Sequence, residues 1–382
     1  MAAGWSYLMQ SVLISCIAMS CGQDDAVARM HSPYMPDHPG SIPYDNAATE
    51  GTQYVEYLKG TMPLILVVPH GGDEALDIIH DRTAGCFDGA CVFKHGCGEI
   101  DAIRCPVDTS PDLNARELAM KMRENIVNIT GHAPYLVISK LTPAKVDVDL
   151  DQAKGTFGDV TAQSAWSAYH HAIHDAKMEL GAGGGLLLDL RNHRHSLGRV
   201  ELGYITAADD LNKNDFIAAD SSIKSLASRR KTSFSNLIRG KMSLGGLLQT
   251  NGIPTIPSPN YPLPNSSPYS SDSYIIRVHG SRDDGAVDAI LVSSADSFTS
   301  DDLIDSYAHT LSVSVHEFLK IYYDYKTTES VSSTYKPKAS VKLAIGFATF
   351  CGCAIVLGLI FVARSRLRKF RIYRYERFAE DV

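Results

Sequence analysis

The chain has no cationic excess. Lys and Arg number 36 against 43 Asp and Glu, a formal net charge of −7, and an acidic chain is a poor fit to nucleic acid. No internal repeat is present, which excludes solenoids and propellers. None of the eight cysteines sits in a Cys-x-x-Cys pair, the spacing that most zinc ribbons and fingers need. The composition of a disordered chain is missing too: 45% of residues are hydrophobic and 21% charged, an ordinary globular balance. The 382 residues fit one large domain or two small ones.

Each end carries an apolar run. Ser11 to Met19 is short and largely apolar, with no charged residue before it, and Ser20 and Gly22 fit a signal-peptidase site with cleavage after Gly22. The run is too short to span a bilayer. Leu343 to Ala363 is an uncharged stretch of 21 residues, about 31 Å as a helix and enough for a hydrocarbon core. Arg364, Arg366, Arg368, Lys369 and Arg371 follow at once, and a cationic cluster after a span marks the cytoplasmic side. Residues 364–382 carry a net +4, which leaves −11 on residues 1–363. The expected organisation is a signal peptide (1–22), an extended leader (23–60), an extracellular domain (61–323), a Ser/Thr/Lys-rich stalk (324–342), a transmembrane helix (343–363) and a basic tail (364–382). This is a type I plasma-membrane protein that has the bilayer and an unidentified extracellular ligand or protein as partners. Cleavage in the stalk would release the domain into extracellular matrix.

Cys86, Cys91, Cys97 and Cys105 remain once the signal peptide and the span take the other four. In an oxidising compartment they should form two disulfides, with three connectivities open. Asn128 and Asn265 head glycosylation sequons.

Within the domain, Leu64–Val68, Tyr135–Ser139, Gly185–Leu190 and Ala286–Val292 read as buried strands. Helices are expected over 114–126, 162–180, 235–248 and 303–323, and a disulfide-pinned insertion over 85–106. Strands alternating with helices predict an α/β, three-layer α/β/α architecture with a mixed, mainly parallel sheet.

Polar residues cluster where core strands end, which is where open α/β sheets bind ligands. The segments are Pro69-His70-Gly71-Gly72, Lys145 to Asp151, Asp189 to His195, and Arg277 to Arg282. In this order, with Asp81-Arg82-Thr83-Ala84-Gly85-Cys86, Tyr169-His170 and Glu201-Leu202-Gly203-Tyr204 between them, they resemble the N-formylglutamate amidohydrolase family over roughly residues 62–293. The resemblance implies a fold like that of zinc carboxypeptidases. It also implies amide cleavage by a metal-bound water with a glutamate base. Such a site needs about three protein ligands, a carboxylate base in reach and a cationic clamp for the substrate carboxylate.

Carried over position by position, His70 matches the first metal ligand and Asp112 the second. The third, a histidine in an Asp-x-His step, is replaced by Arg191 in Asp189-Leu190-Arg191. The asparagine–arginine pair of the clamp appears as Asp149-Leu150, and the double glycine before the arginine–histidine step appears as Asp272-Ser273. Ser293 stands where the glutamate base belongs. A permanent cation at a ligand position opposes a metal ion.

Two rearrangements stay open. His193 or His195 would rebuild a zinc site with His70 and Asp112 after a loop shift, and His170 with His174 has a zinc-binding spacing on a helix. Arg191, His170, Arg277 and His279 are candidate ligand-binding residues. Asp147, Asp149 and Asp151 resemble the start of a calcium loop, but Gln152 and Gly158 stand where its glycine and glutamate belong. The expected function is therefore a surface or matrix glycoprotein with an inactive amidohydrolase-like domain, no cofactor, and a role in binding or scaffolding. The alternatives are a metal-dependent amidohydrolase acting on N-acyl amino acids through His70, Asp112 and His193, and an acidic adhesive or mineral-associated matrix protein.

Overall fold

The computed structural model of the chain describes residues 53–326, apart from Leu113. The signal-peptide, transmembrane and tail assignments fall outside the described residues, as does nearly all of the stalk. Among the described residues no helix is long and apolar enough to cross a membrane.

Among the described residues nine strands are formed: β1 (Val55–Leu58), β2 (Leu64–Val68), β3 (Cys86–Asp88), β4 (Ala90–Val92), β5 (Tyr135–Ser139), β6 (Gly185–His193), β7 (Val200–Gly203), β8 (Thr255–Ile256) and β9 (Val287–Ala295). The helices of four or more residues with α geometry are α1 (Ala115–Thr130), α2 (Gln152–Thr156), α3 (Val160–Leu180), α4 (Ala208–Lys213), α5 (Lys224–Arg229), α6 (Phe234–Arg239), α7 (Leu244–Thr250), α8 (Tyr274–His279) and α9 (Ile304–Tyr322). Seven strands make one sheet in the order β1-β5-β2-β6-β9-β7-β8. Pairs β5/β2, β2/β6, β6/β9 and β7/β8 are parallel, and β1/β5 and β9/β7 antiparallel. The α/β class with a mixed, mainly parallel sheet agrees with the sequence expectation.

Period-two alternation explains why helices cover both faces of the sheet. Leu64, Leu66 and Val68 of β2 point into a core shared with Leu118, Met122 and Ile126 of α1 and Leu311, Val315 and Phe318 of α9. Ile65 and Val67 point the other way, towards Ala165, Tyr169 and Ile173 of α3. Each fully buried aliphatic side chain contributes about 1.5–3 kcal/mol. The spacing of Leu118, Met122 and Ile126 puts one stripe of α1 on the sheet. The start of α3 is fixed by Asp159, whose carboxylate accepts from Thr161 N and Ala162 N, a cap worth about 1 kcal/mol.

Three differences from the sequence reading have local causes, and one open choice is settled. The leader gives way at Val55 to β1, an edge strand paired along its length with β5. The single helix read over 235–248 is two, because Ser243 caps a new start by accepting from Gly246 N. Strand β6 runs on to His193, since Arg191, Asn192 and His193 pair with Ser293, Ser294 and Ala295 of β9. Finally, the four domain cysteines form Cys86–Cys97 and Cys91–Cys105. These two bridges pin the β3–β4 hairpin and leave no four-cysteine zinc site.

Candidate functional site

The site lies at the carboxyl ends of β2, β6 and β9. His70 follows β2 within Pro69-His70-Gly71-Gly72. A Cβ on Gly72 would sit 2.2 Å from the carbonyl of Lys140, so glycine lets this turn lie against the end of β5. The backbone of Asp112 donates to His70 O at 3.0 Å, which sets the Asp112 side chain beside the imidazole. On β6, Asp189, Arg191 and His193 alternate with Leu188, Leu190 and Asn192 and so share one face. That face belongs to the α3 side, where Leu187 packs.

The Arg191 guanidinium is the hub. Its Nε donates to Asp112 Oδ2 at 3.0 Å, its Nη1 to Asp149 Oδ2 at 2.6 Å, and its Nη2 to His70 Nδ1 at 2.9 Å. Asp189 Oδ2 lies 4.0 Å from Nη1. Burial opposes the charge, but Asp149, Asp189 and Asp112 outweigh it and hold the pKa well above the ordinary arginine value. An arginine can only donate, so Nδ1 of His70 accepts and Nε2–H donates to Asp147 Oδ1 at 2.7 Å. Burial and the Arg191 charge oppose protonation of this ring while Asp147 and Asp112 favour it. The carboxylates prevail and hold its pKa above the ordinary histidine value, while the Arg191 N–H aimed at Nδ1 uses the ring's lone pair in the neutral form. Asp147 is in turn held by Arg82, whose Nη2 lies 3.5 Å from its Oδ2. Burial works against its ionisation, yet His70 and Arg82 keep its carboxyl well below the usual range.

Asp189 is the exception in this network. It is fully buried, Oδ1 has no hydrogen-bond partner, and Oδ2 accepts only from Ser273 Oγ at 2.6 Å. Burial pushes its pKa up to about 7, Arg191 opposing and Asp149 adding to the rise. Ser273 is also the cap of α8, and Ile275 N donates to Asp149 Oδ1 at 3.1 Å. The start of α8 is thus docked on two of the carboxylates around Arg191.

Zinc does not fit at the position that the resemblance implies. The lone pair of His70 Nδ1 and one oxygen of Asp112 are both taken by the same guanidinium, and the cation at that point repels a second one. The rearranged set is not assembled either. His193 takes its partners elsewhere: Nε2 is 2.9 Å from Arg199 O and 4.0 Å from Glu201 Oε1. Among the described residues the group with three ligand atoms within 4.8 Å of one another is His193, His195 and Glu201.

Ser293 sits at the expected end of β9, with Arg191 on one flank and Glu201 on the other as cross-strand neighbours. The other candidates are engaged. His170 and His279 are buried, joined by a 2.8 Å contact from His170 Nδ1 to His279 Nε2, with His170 Nε2 at 3.0 Å from Val148 O. Burial lowers the His170 pKa to about 3, and burial with the neighbouring His170 lowers that of His279 well below normal. The two rings stack on each other with centroids 5.1 Å apart, His279 being the last residue of α8. Arg277 is half-exposed and paired with Asp272, Nη2 to Oδ2 at 2.5 Å. Asn128 and Asn265 are both exposed. Asp147, Arg82 and Glu201 stood within the quoted motifs without a role of their own in the site. The alternation of Asp189, Arg191 and His193 was the available signal, since it places three polar side chains on one buried face.

No family model and no curated protein matches the sequence. Among solved structures, the chain is similar to a gene product of Agrobacterium tumefaciens, at 11% identity and a TM-score of 0.37, with 71% of this chain and 95% of that one covered. It is also similar to N-formylglutamate amidohydrolase from Ralstonia eutropha, at 9% identity and a TM-score of 0.39, with 72% of this chain and 99% of that one covered.

Proposed function

We propose that this chain is a divergent relative of the N-formylglutamate amidohydrolases that has given up zinc-dependent hydrolysis and acts in binding or scaffolding, displayed at the cell surface or shed from it. The observation that carries the reading is the Arg191 guanidinium, hydrogen-bonded at once to His70, Asp112 and Asp149. It supplies internally the positive charge that an ion would otherwise bring. The charges have also changed places: the resemblance puts a cation at the clamp and a neutral ligand on β6, whereas here Asp149 is at the clamp and Arg191 on β6. The two now pair at 2.6 Å, which ties both losses to one rearrangement. Ser293 has no carboxylate to offer as base. Two disulfides and an acidic composition favour an exported domain. The direct test is incubation of the purified protein with N-formyl- and N-acetyl-amino acids in the presence of zinc. No release of amino acid is expected. Turnover that disappears in His70→Ala would overturn the proposal.

A further inference from the structure

We propose that His193, His195 and Glu201, with the carbonyl of Arg199, form a site for a divalent transition metal of the zinc class, separate from the Arg191 cleft. The inference does not depend on the proposed loss of hydrolysis. His193 ends β6 and Glu201 lies in β7, so the candidate ligands bracket the loop between the two strands. The imidazoles of His193 and His195 stack with centroids 4.6 Å apart and planes inclined by 29°. His195 Nδ1 is 3.1 Å from Glu201 Oε2, and His193 Nε2 is 2.9 Å from Arg199 O and 4.0 Å from Glu201 Oε1. A tetrahedral zinc with bonds of about 2.0–2.1 Å has ligand-to-ligand edges of about 3.3 Å. The His195–Glu201 and His193–Arg199 separations of 3.1 and 2.9 Å are close to such edges, and the ligand atoms of His193, His195 and Glu201 all lie within 4.8 Å of one another, so small side-chain shifts would complete the set. In the metal-free arrangement the imidazole N–H groups of His193 and His195 point at Arg199 O and Glu201. An ion would replace those two protons. Nitrogen and oxygen donors of this kind suit zinc over magnesium or calcium.

The surroundings supply both orientation and access. Glu201 is fully buried and its Oε2 also accepts from Ser270 N at 2.7 Å. His195 keeps about a third of its side chain, 31%, in solvent, which gives an ion an entry path. The Arg199 guanidinium is the opposing feature, with Nε 3.3 Å from Glu201 Oε1. Its Nη2 is drawn off to Pro268 O at 3.0 Å, so the charge is not centred on the three ligands. Arg199 and zinc would hold opposite oxygens of one carboxylate. Bound metal would clamp the β6–β7 loop to the strand that flanks β9.

The test is cobalt and zinc titration of the whole protein. Cobalt is read by the visible absorption of tetrahedral nitrogen and oxygen coordination, and zinc by elemental analysis after gel filtration and by the rise in melting temperature. The proposal expects one equivalent bound, with all three signals lost in His195→Ala and in Glu201→Gln and kept in His70→Ala. His195 is partly exposed, so its alanine variant should fold even if Glu201→Gln does not. Absence of binding by the unmodified protein would overturn the site, and so would binding that survives His195→Ala. Metal that disappears in His70→Ala instead would overturn the proposed loss of the ancestral centre, a distinguishable failure.

Discussion

Replacing Arg191 by methionine keeps much of the side chain's volume and removes its charge. In the native cleft the guanidinium satisfies Asp112 at 3.0 Å and Asp149 at 2.6 Å, and both carboxylates are largely buried, at 12% and 14% side-chain exposure. Removing one partner of a buried ion pair costs about 3–5 kcal/mol, because the remaining charge is left uncompensated. Here two carboxylates lose their partner together, so the expected loss at pH 7.5 is in that range. The pH dependence identifies the cause. Arg191 opposes the rise of the buried Asp189 pKa to about 7, so its loss lifts that pKa further above the unfolded value of about 3.9 in the folded variant. The folded state then binds more protons than the unfolded one across the interval between these values. The deficit must therefore shrink as pH falls from 7.5 to 5. Urea unfolding followed by circular dichroism at both pH values measures it, and Arg191→Lys should recover part of the loss by restoring charge without the fork. A loss below about 1 kcal/mol at pH 7.5, the size of an ordinary surface pair, or a deficit that does not change with pH would refute the reasoning.

Three further outcomes are expected. Asp189, with a folded pKa of about 7 against about 3.9 unfolded, adds stability below pH 4 that is lost as pH rises through 7, by up to about 4 kcal/mol. In Asp189→Asn the decline in urea midpoint between pH 5 and 8 should flatten. Gly72→Ala places a Cβ 2.2 Å from the Lys140 carbonyl carbon and oxygen and should lower stability by about 1–3 kcal/mol through overpacking, seen as a lower melting temperature. Reducing Cys86–Cys97 and Cys91–Cys105, which close loops of 11 and 14 residues in sequence separation, removes about 3 kcal/mol of loop constraint each. Trypsin should then cut at Lys94 or Arg104 while the central sheet stays intact, as mass spectrometry of the fragments would show.

The central strands were legible because they are pure apolar runs: Leu64–Val68 and Tyr135–Ser139 coincide with β2 and β5. The long helices were legible by their period, within a few residues at each end. Strands β1, β7 and β8 were not. They are two to four residues long, and β7 and β8 mix polar with apolar side chains, so only pairing with neighbours defines them. The substituted positions Arg191, Leu150 and Ser293 could be named from motif order alone. Their consequence could not, because it depends on register. Arg191 meets Asp149 from a loop 42 residues away and His70 from 121 residues away. The partners of His170 and His279 were hidden for a related reason. An isolated histidine in sequence carries no sign of burial, and these two pair with each other in the interior.

The most direct test of the central claim is the zinc content of His195→Ala protein, which lacks the second candidate site, compared with the same protein carrying His70→Ala as well. Both proteins were expected from the geometry to behave alike, because Arg191 already occupies His70 and Asp112. The account predicts that neither retains zinc after dialysis against the free ion. One zinc per chain in His195→Ala that vanishes with His70 would contradict it.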